Sequence, residues 1–154
     1  ASADNGSSVI TATYGGNLNW DLLVALPSAS LATEKARALL PATYSRADAV
    51  ANVQNTALLV SAFALNRGDL LRTAMQDRIH QPYRMEACPL LPRLLPLNGT
   101  PGVLGVALSG AGPSVLIIAD ETAKELPTAI RKAANDPELE IIQTTIAAGT
   151  TVQR

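Results

Sequence analysis

The strongest constraint on the fold is a pair of apolar runs with only four residues between them. The runs cover 103–109 and 114–119, are rich in valine, leucine, isoleucine and alanine, and are separated by 110–113. A parallel connection needs a crossover of a dozen or more residues, so two strands this close in sequence pair as an antiparallel hairpin. The sequence therefore predicts such a hairpin in the second half of the chain.

The other segments predict a mixed fold with helices between strands. Apolar runs at 21–27 and 139–146 are typical of strands, and the intervening patterns predict helices at 33–40, 45–66, 69–80, 87–97 and 122–135. The order is strand, helices, two strands, helix, strand. We expect an α+β fold, with an antiparallel sheet and helices packed on one face in the manner of a ferredoxin-like domain.

The longest predicted helix shows both a start signal and a periodic pattern. Ser45 and Asp48 have the spacing of a capping box, and Asn66 and Gly68 follow the last periodic residue. Small and apolar residues recur at steps of three and four. They predict one buried face, formed by Val50, Val53, Ala57, Ser61 and Ala64.

Composition limits the classes of function. The 154 residues are 47% hydrophobic, carry a net charge of −1 and contain no basic block, which argues against nucleic acid or an anionic membrane surface as partner. No apolar run approaches the roughly 20 residues of a membrane helix. The single cysteine, Cys88, excludes an intrachain disulfide, fits a reducing cytoplasmic setting, and is expected to be a small buried group.

The loop of the predicted hairpin is the first candidate site. Ser109, Gly110, Ala111, Gly112 and Ser114 place two glycines around one small residue. Glycine allows positive φ and close approach to the backbone, and successive N–H groups in such a turn can bind an anion. A bare Gly-x-Gly is more often a tight turn without a ligand, so the spacing alone leaves both interpretations open.

Two arginines stand in the other distinctive strings. Arg84 ends the string MQDRIHQPYR, and Arg37 lies in TEKARALLP. Taken alone, Arg84 would be a surface cation just past a helix end, and Arg37 would belong to the charged face of an exposed helix. His80 is the only histidine and offers no metal-binding set with a second histidine or a nearby cysteine. No metal site and no catalytic residue can be named from these residues.

Together, these three strings resemble homoserine kinases of the GHMP family of small-molecule kinases. The resemblance covers about residues 22–154 in the family's order, and VALSGAGPS is similar to the third signature motif of the family, near the site of phosphate transfer. It implies that 21–154 is a GHMP kinase C-terminal domain. It also implies that Arg37 and Arg84 bind the homoserine carboxylate, for which guanidinium groups offer a planar fork.

The first 20 residues fit the resemblance less closely. Asp4 and Asn5, followed by Gly15-Gly16, are similar to a family segment whose asparagine lies close to homoserine, although Ser2 stands where the family has histidine. Gly6-Ser7-Ser8 is alternatively similar to the end of the family's phosphate loop. We interpret 1–20 as a remnant of the kinase N-terminal half or its junction, with Asp4 and Asn5 as further substrate-binding candidates.

The resemblance implies ATP-dependent transfer of a phosphoryl group to L-homoserine, in threonine biosynthesis in the cytoplasm. The expected ligands are L-homoserine, ATP and Mg²⁺, and a second copy of the chain is a further candidate partner. In the family, ATP and Mg²⁺ are held mainly by the N-terminal half, whose ATP loop is not recognisable here. We therefore expect this chain alone to be inactive.

Three alternatives remain open at this level. The chain could be a non-catalytic amino-acid-binding or regulatory domain derived from a GHMP kinase, which would bind homoserine but not ATP. It could be a structural product that binds neither. It could also belong to a GHMP kinase acting on another alcohol, such as a mevalonate-type substrate, although the strings around Arg37 and Arg84 favour homoserine.

Overall fold

The structure, a computed structural model, describes residues 18–147 and contains one four-stranded sheet. The strands are β1 Asp21–Leu26, β2 Val103–Leu108, β3 Val115–Ala119 and β4 Glu140–Thr144. The helices are α1 Thr33–Ala38, α2 Arg46–Leu65, α3 Leu71–Ala74, α4 Gln81–Arg84, α5 Leu90–Leu94 and α6 Leu126–Ala134, with 3₁₀ turns at Gly68–Leu70 and Leu95–Gly99. Asp4, Asn5 and the rest of the N-terminal segment up to residue 17 lie outside the described residues.

The sheet has the strand order β2-β3-β1-β4, and every neighbouring pair is antiparallel. β2 and β3 form the predicted hairpin, with Leu108 opposite Val115. Helices lie between β1 and β2 and between β3 and β4, which is the arrangement of a ferredoxin-like domain. The predicted α+β class with an antiparallel sheet is confirmed.

The main core lies between one face of the sheet and helices α5 and α6. Alternate residues of the strands, among them Leu23, Val115 and Ile117, pack there against Leu91 and Ile130. This alternation is what a strand with one buried face requires, because successive side chains point to opposite faces. The expectation of helices on one face holds for α5 and α6.

A smaller cluster lies on the other face, which the sequence did not predict. Trp20, Ala62, Leu71 and Ile118 are buried there, so α2 and α3 cover part of this second face. Trp20 meets Phe63 of α2 edge-on, with ring centroids 5.2 Å apart. The helices are thus distributed over both faces of the sheet.

Helix α2 begins and ends as predicted but buries a different face. The Ser45 side chain accepts a 3.0 Å hydrogen bond from the Asp48 backbone N–H, and Asn66 adopts the left-handed conformation at the C-terminus. The predicted buried face was wrong: Val50 and Val53 are 49% and 71% exposed. The helix is apolar on most of its circumference, so periodicity could not select the inward side.

The segment predicted as one helix over 69–80 is divided in the structure. α3 ends at Ala74, and α4 begins at Gln81 with Pro82 in its first turn. Proline suits the first turn because its missing N–H would have no helical partner there. Within 18–147 no helix combines the length and the apolar character needed to cross a membrane.

Candidate functional site

Arg84, the last residue of α4, is a buried cation held in a fixed position. It is only 5% exposed, and its Nε donates a 3.1 Å hydrogen bond to the Ala36 carbonyl oxygen of α1. Neither Nη atom has a recorded partner within 18–147, and neither is among the fully buried unpaired polar atoms of that region, where Asn98 Oδ1 is the one example. Among the described residues no hydrogen-bond acceptor is therefore recorded for the two Nη groups, and a guanidinium can present such a pair as a fork to a carboxylate.

Arg37 lies on the same short helix as the carbonyl group that Arg84 holds. α1 spans Thr33–Ala38, with Ala36 fully buried and Arg37 exposed. The residue before the helix is Ala32, which provides no side-chain cap. The bond from Arg84 to Ala36 brings the segments of the two predicted arginines together.

The glycine loop leaves β2 at Ser109 and enters β3 after Ser114. The Ser109 N–H donates to the Ser114 carbonyl oxygen at 2.8 Å, which closes the loop. Gly110 and Gly112 have φ of +63° and +83°. Gly112 N–H donates to Ser109 O at 3.2 Å, whereas the N–H groups of Gly110 and Ala111 have no recorded partner within the described residues. Two successive donors are thus free for an anion.

Cys88 connects the glycine loop to the segment that carries Arg84. A Cβ atom placed on Gly112 would lie 2.7 Å from Cys88 Sγ, so the backbone of the loop packs directly on the thiol. Cys88 N–H in turn donates to the Arg84 carbonyl oxygen at 2.9 Å. The thiol is buried as predicted, and this burial raises its pKa, while the positive charge of Arg84 opposes the rise. A neutral, buried thiol is a packing group rather than a nucleophile.

Asp77 organises the turn between α3 and α4. Its carboxylate accepts hydrogen bonds from the backbone N–H groups of Ile79, His80 and Gln81, and from Asn52 Nδ2 of α2 at 2.7 Å. Partial burial acts to raise the pKa of Asp77, but these bonds outweigh it and hold the pKa below its usual value. Asp77 therefore remains charged and fixes the start of α4.

Gln81 links this turn to the glycine loop. The side chain is 92% buried, its Oε1 accepts from the Leu108 N–H at 2.9 Å, and its Nε2 donates to the Met75 carbonyl oxygen at 3.2 Å. β2 is an edge strand, so the outward N–H of Leu108 has no neighbouring strand. The side-chain amide of Gln81 therefore accepts the hydrogen bond that a neighbouring strand would otherwise accept from Leu108, the last residue of β2.

An open cavity of about 370 Å³ lies beside this network. Its lining includes Asn55, Phe63 and His80 as well as Gln81 and Gly110, but neither Arg37 nor Arg84. The two arginines and this cavity therefore do not form a single pocket within the described residues. Over 18–147 no three His, Cys, Asp or Glu side chains lie close enough together to hold a metal ion.

The sequence named the arginines and the glycine loop but missed the residues that hold them. Asp77, Gln81 and Asn52 have structural partners that no motif spacing could give. One signal was available, since an aspartate side chain commonly accepts a hydrogen bond from the backbone N–H two residues further on, as Asp77 does from Ile79.

The family of the chain is shown by a match to a family model. The model described as "GHMP kinases C terminal" matches residues 59–136, just over half of the chain. The chain belongs to this family. The matched region contains the glycine loop, Arg84, Asp77 and Gln81, whereas Asn52 and Ala36, which bond to Asp77 and Arg84, precede it.

Individual relatives and solved structures carry more specific names than the family model. A protein of Solibacter usitatus named homoserine kinase is 50% identical over 99 residues, which cover 64% of this chain and 32% of that protein. A solved structure of homoserine kinase from Cytophaga hutchinsonii has a TM-score of 0.78 and 24% identity, covering 88% of this chain and 44% of that one. Phosphomevalonate kinase of Streptococcus pneumoniae has a TM-score of 0.62 at 14% identity, covering 88% and 43%. The chain spans about a third of the length of the Solibacter relative, and the two structures show its fold alone.

Proposed function

We propose that this chain is the C-terminal half of a homoserine kinase, an enzyme that transfers the γ-phosphoryl group of ATP to the hydroxyl of L-homoserine and yields O-phospho-L-homoserine. The observation that carries the proposal is Arg84, which is buried, hydrogen-bonded through Nε and, among residues 18–147, without a recorded partner at either Nη group. The name of the Solibacter relative supports the choice of substrate, because the fold is also shared, at a TM-score of 0.62, with a phosphomevalonate kinase and so does not select homoserine by itself.

Within this proposal, Arg84 and Arg37 bind the carboxylate of homoserine. The Nε of this buried guanidinium already donates to a backbone carbonyl oxygen, so the side chain loses little conformational entropy when it binds a ligand. The carboxylate also neutralises a buried positive charge, for which no acidic side chain within hydrogen-bonding distance is recorded in residues 18–147. Asp4 and Asn5 stay predictions of the sequence for this site.

The glycine loop belongs to the phosphate end of the same site. Its free N–H groups at Gly110 and Ala111 can stabilise negative charge on the transferred group, which is the main task of a phosphoryl-transfer site. ATP and Mg²⁺ are held mainly by the part of the relatives that this chain does not span. Such an enzyme works in threonine biosynthesis in the cytoplasm.

The substrate assignment can be tested with a ligand that differs only in the carboxylate. 3-Amino-1-propanol is homoserine without that group. In isothermal titrations of the chain, we expect saturable binding of L-homoserine and binding of 3-amino-1-propanol that is weaker by about 10- to 100-fold, as the loss of a charge-assisted contact predicts. Equal binding of the two compounds would contradict the assignment of Arg37 and Arg84.

The second part of the proposal concerns turnover. With L-homoserine and MgATP, the purified chain should release no ADP above background in a coupled assay. Turnover by the 154-residue chain would overturn the view that its ATP site lies elsewhere. Homoserine binding without turnover would also fit a non-catalytic amino-acid-binding domain. That alternative fails if addition of the N-terminal part of the Solibacter relative restores activity.

A further inference from the structure

We infer that Gln81 is a positioning residue, which sets the glycine loop at a fixed distance from Arg84. The inference rests on the proposed function for the roles of those two groups, and it adds a residue that makes no contact with the substrate. Three observations carry it: the two side-chain bonds of Gln81, the position of Gln81 on the same short helix as Arg84, and the edge location of β2.

The two bonds of Gln81 use both ends of one amide. Oε1 accepts from Leu108, the last residue of β2, and Nε2 donates to Met75 just after α3. The planar amide offers an acceptor and a donor at fixed positions relative to each other. The amide therefore locks the end of β2 to the segment that precedes α4.

The same segment fixes Arg84. α4 is a single turn, Gln81–Arg84, whose start is held by the Asp77 carboxylate and whose end is held by the bond from Arg84 to Ala36. Because both ends of this turn are anchored, Gln81 and Arg84 keep a nearly constant position relative to each other. Gln81 thus defines where the phosphate end of the site lies relative to the carboxylate end.

The packing of Gly112 on Cys88 is a second contact between the glycine loop and the segment that carries Arg84. That contact restrains the far side of the loop, whereas Gln81 restrains the point at which the loop leaves the strand. Without Gln81, the side near Gly110 would be free to move, because a Cβ atom placed on Gly110 would meet no atom within 4 Å.

The test compares wild type with Gln81→Leu, Gln81→Glu and the control Gln76→Leu, whose side chain is exposed and has no recorded bond within 18–147. Leucine keeps the volume but removes both bonds, and glutamate keeps the acceptor for Leu108 but loses the donor to Met75. The first measurement is hydrogen exchange of the Leu108 amide, with the chemical shifts of the Gly110 and Gly112 amides. We expect at least about tenfold faster exchange in Gln81→Leu, an intermediate change in Gln81→Glu and none in Gln76→Leu.

The second measurement is the ratio of the dissociation constants of L-homoserine and O-phospho-L-homoserine. The phosphorylated compound reaches the loop, so it should bind wild type about tenfold more tightly. In Gln81→Leu this ratio should fall about fivefold or more, while the affinity for L-homoserine itself stays within about twofold of wild type. A merely structural role would weaken both ligands together or neither.

The outcomes separate the inference from the function on which it rests. Unmoved loop amides in Gln81→Leu overturn the inference, as does a moved loop with an unchanged ratio. If wild type binds neither compound, the proposed function fails, and the exchange measurement alone decides whether Gln81 holds the loop.

Discussion

Helices α2 and α6 pack on opposite faces of the same sheet but bury very different shares of their apolar surface. In α6, Leu126, Ile130 and Ala134 are buried and the intervening positions carry Arg131 and Lys132. In α2 only Ala62 is buried, although most of its residues are apolar. The amphipathic helix is oriented by the hydrophobic effect, because one side alone prefers the core.

In α2, hydrogen bonds add to the apolar contacts of Ala62 and Phe63 in orienting the helix. Asn52 binds Asp77 and the backbone N–H of Arg78, and Asn55 Nδ2 donates to the Gln76 carbonyl oxygen at 2.6 Å. These bonds turn the polar residues of α2 toward the segment before α4 and leave Val53 in solvent. The comparison shows that a few side-chain amides can help to decide which side of an apolar helix faces inward.

The largest effect is expected from the core side of α6. Ile130→Ala removes a side chain with no exposed area and should lower the free energy of unfolding by about 2–5 kcal/mol, because a cavity adds to the lost transfer energy. Urea denaturation followed by circular dichroism measures this. A loss below about 1 kcal/mol would mean that the core between the sheet and α6 is not closely packed.

The glycine loop gives the next largest effect. Gly112→Ala should cost about 2–4 kcal/mol, since it adds both a positive-φ penalty and a clash with Cys88 Sγ. Gly110→Ala is the matched control, with a similar φ and open space around it, and should cost only about 1 kcal/mol. Equal losses in the two variants, measured by thermal unfolding, would contradict the packing of the loop on Cys88.

The Asp77 turn should respond to pH in a defined direction. The folded-state pKa of Asp77 is lowered, so its stabilisation is complete above the unfolded value of about 4 and is lost as pH falls through the folded value. Asp77→Asn should therefore cost about 1–3 kcal/mol near pH 7, and the difference from wild type should shrink below pH 4. A difference that grows on acidification would contradict the assigned partners.

The smallest effect is expected on the outer side of α2. Val53→Ala should change stability by less than about 0.5 kcal/mol, since the side chain is 71% exposed and alanine favours helix. A loss above about 1 kcal/mol would show that this side is covered in solution. Sedimentation velocity of both proteins would then reveal whether a second copy covers it.

Sequence reasoning reached the local features and missed those that depend on distant partners. Ser45 at the start of α2 and the hairpin around Gly110 are specified by neighbouring residues, and both are found in the structure. The inward side of α2 depends on a bond from Asn52 to Asp77, 25 positions away. The role of Gln81 depends on a bond to Leu108 of β2, 27 positions away. No periodicity within one element carries that information. Arg84 was named from a resemblance, while its burial and its bond to Ala36 needed the fold.

The most direct test of the central claim is titration of L-homoserine into wild type, Arg84→Ala and Arg93→Ala. Arg93 Nη1 donates to the Ala134 carbonyl oxygen at 2.7 Å, so its variant also loses a guanidinium-to-carbonyl bond, between α5 and α6. We predict saturable binding to wild type and to Arg93→Ala, and binding at least about tenfold weaker to a folded Arg84→Ala. Unchanged affinity in Arg84→Ala would contradict the assignment of Arg84 as the carboxylate ligand and, with it, the proposed site.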